Sequence, residues 1–133
     1  MFMDSDDKIS PILLQSVYEV IENNMDVDMI KLPCPRLTAP TAAYDKLNNT
    51  IDFITNKLQI AVLLGYTWSM IWRRDKIKNI RHLINKGMCA ELPYNWMVFN
   101  ECDTFYILNK PLYTYNTANM KSINKSKNPN RAT

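Results

Sequence analysis

Three carboxylates fall within four positions near the start of the sequence, in Met1-Phe2-Met3-Asp4-Ser5-Asp6-Asp7. In an extended segment side chains alternate, so Asp4 and Asp6 share one side while Asp7 faces the other until the chain turns. Like charges this close repel one another unless a cation or strong donors compensate them. Hard divalent cations, Mg²⁺ or Mn²⁺, take oxygen ligands of this kind. The same spacing also describes a solvated acidic turn ahead of a helix. A calcium EF-hand does not fit, because the glycine needed at its sixth position is Ile9 and the glutamate at its twelfth is Gln15.

Other groups that could do chemistry are sparse. Cys34, Cys89 and Cys102 are widely spaced, and His82 is the only imidazole, so no zinc pattern forms and buried thiols are expected. Arg73-Arg74 could serve an acidic acceptor or a phosphate, or could cap a helix end beside Asp75. Trp68, Trp72 and Trp96 could stack on a sugar or fill a core.

These residues need elements to position them. Ser10-Pro11 can open a helix, with the hydroxyl capping and proline at the first helical position. Leu13, Leu14, Val17, Val20 and Ile21 form its apolar face, and the helix runs to Asn23. Asp26 to Leu32 reads as a turn and a strand. Met1 to Asp4 and Met29 to Leu32 are expected as strands of one sheet. Pro33, Pro35 and Pro40 break the next stretch. From Thr41 to Leu64, Leu47, Ile51, Ile54, Leu58 and Val62 recur at spacings of four and three, which predicts a helix. Phe105 to Leu108 is expected as a late strand.

Composition sets bounds. The 133 residues make one domain or part of one, and the 47% hydrophobic content is that of a globular chain. The net charge of +3 lies largely in a polar tail over residues 121–133, expected to fray, so nucleic-acid binding has little support. No apolar run reaches the roughly 18 residues of a membrane-spanning helix. The first residues are acidic rather than a basic flank with an apolar stretch, so a cytoplasmic location is expected.

The stretch FMDSDDKISPILLQSVYEVIENNMDVDMI resembles the segment of family-two glycosyltransferases that begins with an Asp-x-Asp motif. Tyr66 to Asp75 resembles the family's Trp-x-x-hydrophobic-aromatic-Arg-Arg phrase, with Ser69-Met70 in place of the usual Asn-Lys. Phe105 to Tyr115 resembles its late strand, Asn-Lys-Pro turn and Tyr-x-Tyr strand, and Asn119 to Ile123 its Asn-x-x-Ser-Ile phrase. The resemblance covers nearly all of the chain and implies that residues 1–120 are the C-terminal part of a GT-A fold, an α/β architecture with a mixed sheet and flanking helices. It implies sugar transfer from a nucleotide-diphosphate donor to an acceptor hydroxyl. Asp4 and Asp6 would hold a divalent metal, Mn²⁺ or Mg²⁺, with Asp7 near the donor diphosphate. Trp68, Arg73, Arg74 and Trp96 would lie on the acceptor side.

The sequence departs from the family in two places. Asn95, in Leu92-Pro93-Tyr94-Asn95-Trp96, stands where the family carries its catalytic aspartate, and an amide cannot act as a base at neutral pH. Glu91 and Glu101 are the nearby carboxylates, Glu91 being the substitute candidate. The family's nucleotide-binding half precedes the Asp-x-Asp motif and has no counterpart in these residues. A truncated or split domain is therefore expected, completed by a second polypeptide or by self-association. Such strand addition would satisfy the apolar strand at Met1-Phe2-Met3. The alternative is a non-catalytic remnant that binds a partner or a nucleotide sugar.

Overall fold

Side chains alternate across the strand at Met29, and here both faces are apolar, so this strand becomes the centre of the sheet. The structure is a computed structural model that describes residues 1–33, 44–54, 65–81 and 91–118. In chain order its elements are β1 (Lys8–Ile9), α1 (Leu13–Asn23), β2 (Met29–Lys31), β3 (Leu47–Asn49), α2 (Thr50–Ile54), a 3₁₀ turn (Thr67–Ser69), β4 (Met70–Trp72), α3 (Arg74–Ile77), α4 (Glu91–Asn100), β5 (Thr104–Ile107) and β6 (Tyr113–Thr114).

The main sheet has the order β3-β5-β2-β4. β2 runs parallel to β5, with Met29 opposite Phe105, and antiparallel to β4, with Met29 opposite Trp72. Met29, Met70, Trp72, Phe105 and Ile107 point to the face covered by Tyr94, Val98 and Phe99 of α4. Ile30 and Leu32 point to the other face, covered by Leu13, Val17 and Val20 of α1. The architecture is thus α/β with a mixed sheet between helices, and β2 is buried on both sides. A small second sheet pairs β1 with β6 antiparallel, Lys8 opposite Thr114.

Several sequence expectations change. Met1 to Asp4 form no strand. Phe2 instead folds edge-on against Trp72 and Tyr94, with ring centroids 5.7 and 6.0 Å apart, so packing replaces sheet pairing. The strand there is Lys8–Ile9, just after the carboxylates. Helix α1 starts at Leu13 without a side-chain cap; Ser10 accepts the Ile12 N–H at 3.4 Å and shapes the turn before it. Of its expected apolar face, Leu13, Val17 and Val20 are buried, whereas Leu14 and Ile21 are exposed. Leu47 lies in a strand, because pairing with the edge of β5 outcompetes its helical spacing. The helix begins only at Thr50, where Asn49 Oδ1 accepts the Ile51 N–H at 2.8 Å. Leu58 and Val62, Cys34, Cys89 and His82, the Asn119 to Ile123 phrase and the tail lie outside the described residues. The expected strands at Met29 and Phe105 are present at Met29–Lys31 and Thr104–Ile107.

A buried carboxylate ties the start of β2 to its neighbours. Asp28, 4% exposed, accepts the N–H groups of Asp103 and Thr104 on Oδ2, at 2.8 and 3.4 Å. Lys76 and Arg73 approach the same carboxylate at 3.4 and 3.6 Å. Those cations are partly exposed, so water screens them and their contribution is modest. The buried backbone donors matter more, since stripping an acceptor from one costs about 1–3 kcal/mol. Asp28→Ala is expected to lower stability by about 2–4 kcal/mol, and Asp28→Asn by less, because the amide oxygen keeps one acceptor. Urea unfolding measures both; an alanine variant as stable as the parent would refute the assigned role.

Cys102 is buried behind this carboxylate, and its thiol donates to the Val98 carbonyl at 3.3 Å. Burial, and then the negative charge of Asp28, push its pKa up to about 12. Thiolate is the reactive form. Iodoacetamide at pH 8 is therefore expected to leave Cys102 unmodified in the folded chain and to alkylate it in urea, read by peptide mass spectrometry.

Candidate functional site

The acidic loop is held against β6 and the residues that follow it. Two neighbours hold it there. Asp7 is buried, and both of its oxygens are used: Oδ2 accepts the Tyr113 hydroxyl at 2.5 Å and Oδ1 accepts the Asn116 N–H at 2.7 Å. The Tyr113 oxygen in turn accepts the Asp4 N–H at 3.3 Å, and the Asp7 N–H closes a turn onto the Asp4 carbonyl at 3.2 Å. Tyr113 is itself fixed by stacking on Trp68, with centroids 4.4 Å apart and planes at 14°. Burial, followed by the Asp7 hydrogen bond, raises its phenol well above the ordinary tyrosine pKa, so it remains a donor.

The remaining carboxylates crowd together. Asp4 and Asp6 are exposed, and Glu91 at the start of α4 completes the group. Glu91 Oε2 accepts from the N–H and hydroxyl of Thr67, at 3.3 and 3.4 Å, and suits the positive end of its helix. The Asp4 carboxyl has a raised pKa, first through partial burial, then through the charges of Asp7, Glu91 and Asp6. Glu91, from the start of α4, thus adds its charge to that of the acidic loop. Among the described residues, no group of three or more His, Cys, Asp or Glu side chains is arranged to hold a metal ion by itself. Asp4 and Asp6 offer hard oxygen donors that fit Mg²⁺ or Mn²⁺ when further ligands complete the sphere. Asp7 serves the loop's anchorage instead, with both oxygens engaged by protein donors.

The other candidates are distributed through the molecule. Asn95 is fully buried, and its Oδ1 accepts the Thr67 hydroxyl at 2.9 Å. Trp68 is buried in an aromatic stack with Tyr66, Tyr113 and Tyr115, and presents no open face for a sugar. Trp96 is half-exposed on α4. Arg73 sits after β4, at the amino end of antiparallel β2, and binds Asp28 and Asp75. Arg74 is exposed at the first position of α3. The arginines therefore lie at the opposite end of the sheet from Thr67 and the residues that anchor the acidic loop. Sequence spacing did not single out Tyr113 as the loop's anchor or Thr67 as the link from Glu91 to Asn95. Neither has a local signal, since each contact spans more than twenty residues. Compared with known proteins, the chain matches no family model and no curated protein.

Because the folded state raises the Asp4 pKa, it binds that proton more tightly than the unfolded chain does. The stability associated with this group is therefore greatest at low pH and declines as pH rises through the raised pKa. In a carbonyl-detected NMR titration, Asp4 is expected to titrate above the ordinary value of 3.8. Glu91→Gln is expected to move that midpoint down; a midpoint at or below 3.8 in the parent would refute the crowding.

Proposed function

We propose that this chain is glycosyltransferase-like, with a partial GT-A fold, and that its acidic loop binds the diphosphate of a nucleotide-sugar donor through a divalent cation. The observation that carries this reading is the crowding of exposed Asp4 and Asp6 with Glu91 at the start of α4, around a loop anchored by buried Asp7. The resemblance of four separate phrases to family-two glycosyltransferases supports it. Asp4 and Asp6 hold the cation, and Asp7, locked by Tyr113 and Asn116, keeps the loop in place. The cation, when bound, neutralises charge on the departing diphosphate.

A non-catalytic binding role is the second reading, and one observation favours it. Asn95, at the position of the family's base, is a buried amide. Glu91 is a nearby carboxylate, but its Oε2 is already engaged by Thr67. Donor binding without efficient transfer follows, since loss of a general base costs about 10²–10⁴-fold in rate. No helix among the described residues is long and apolar enough to cross a membrane.

Calorimetry with Mn²⁺ alone, then with Mn²⁺ and UDP or GDP, tests donor binding. Weak Mn²⁺ affinity that strengthens with the nucleotide is expected, and Asp6→Asn should weaken it by about tenfold or more, equivalent to ~1.4 kcal/mol. Equal affinities for parent and variant would remove Asp6 from the site. Sugar transfer by the chain alone is expected to be weak or absent; rapid turnover would overturn the binding-only reading.

A further inference from the structure

Helix α1 has a second apolar stripe that the core does not use. Leu14, Tyr18 and Ile21, followed by Met25 just past the helix end, recur at spacings of four, three and four, and are 78%, 59%, 45% and 82% exposed. This is the spacing of a helix-pairing seam. An ordinary surface helix carries one apolar face, and α1 already buries Leu13, Val17 and Val20. The stripe also leads into a groove of about 240 Å³, where Ile21 and Met25 form one wall and Ile30, Ile71 and Trp72 are among the other lining residues.

The charges around the stripe select its occupant. Helix α1 contains Glu19 and Glu22 and no basic residue, and exposed Asp26 follows, although the whole chain carries +3. Lys110 reaches Glu19 at 3.7 Å from one side, Glu22 accepts the Tyr18 hydroxyl, and at the groove Arg73 is paired with Asp28. The flank bearing Glu22 and Asp26 is therefore acidic. Two copies of α1 laid face to face would bring these acids together, and an anionic lipid surface would be repelled. We infer that the Leu14–Tyr18–Ile21–Met25 stripe and its adjoining groove dock an amphipathic helix of a partner protein with a basic flank. One apolar side chain of that helix anchors in the groove beside Ile30 and Ile71, the helix-in-groove mode of recognition. This inference is independent of donor binding at the acidic loop.

The test uses the whole 133-residue chain and a synthetic helical peptide of about 18 residues, with leucines at the same spacing and lysines elsewhere, against a twin carrying glutamates. Fluorescence anisotropy at low salt should show the lysine peptide bound at least about tenfold more tightly. Leu14→Asp and Met25→Asp should each weaken it by a similar factor, with circular dichroism confirming the fold, and Glu22→Lys should narrow the preference between the twins. Leu14→Ser replaces Leu14→Asp if the charge disturbs the helix. Equal affinity for the two peptides, no binding of either, or binding untouched by the α1 variants would overturn the inference. So would a dimer by light scattering that Leu14→Asp dissolves, which assigns the stripe to a second copy. Sedimentation with phosphatidylcholine vesicles that Leu14→Asp abolishes would assign it to a membrane instead.

Discussion

Two-sided burial of β2 is the constraint around which the rest of the structure is arranged. Its residues from Met29 to Leu32 are almost entirely out of contact with water, so every backbone donor and acceptor must be paired and both side-chain faces covered. Pairing comes from β4 on one edge and β5 on the other. Cover comes from α1 on one face and α4 on the other. Even Lys31 is drawn in, its ammonium donating to the Ser69 hydroxyl where β2 meets the 3₁₀ turn. Asp28 completes the arrangement at the strand's start by taking up the backbone donors that open β5.

That arrangement determines what the acidic loop can do. A carboxylate that is buried must spend its oxygens on protein donors, and Asp7 does so with Tyr113 and Asn116. The Asp4 carboxyl beside it has a raised pKa, first through its own partial burial and then through the charges of Asp7, Glu91 and Asp6. Hydrogen bonds also engage Thr67, whose N–H and hydroxyl serve Glu91 while its hydroxyl also reaches the buried Asn95. The 3₁₀ turn, the start of α4 and the core amide form one hydrogen-bonded unit.

Helix α1 shows how a periodic pattern can serve two surfaces. Five apolar residues between Leu13 and Ile21 look like one broad face when only spacing is counted. Leu13, Val17 and Val20 pack against the sheet, while Leu14, Tyr18 and Ile21 turn outward toward the groove that begins at Met25. Acidic residues border the outward stripe without a basic counterpart on the same helix, which gives that surface a charge preference of its own.

Local patterns determined the parts of this protein that depend on short-range physics. The α1 helix, the strands near Met29 and Phe105 and the mixed α/β class follow from changes of apolar period between segments. The carboxylate cluster is legible for the same reason, since its repulsion depends on neighbours in sequence. Tertiary structure decided the rest. It placed Met1 to Asp4 in a packed turn rather than a strand, because the aromatic pocket of Trp72 and Tyr94 offered Phe2 a better contact. It made Leu47 a strand residue, because the edge of β5 was available to pair with it. It set Asp7 against Tyr113 and Arg73 against Asp28, contacts between residues far apart in sequence whose energies no local window contains.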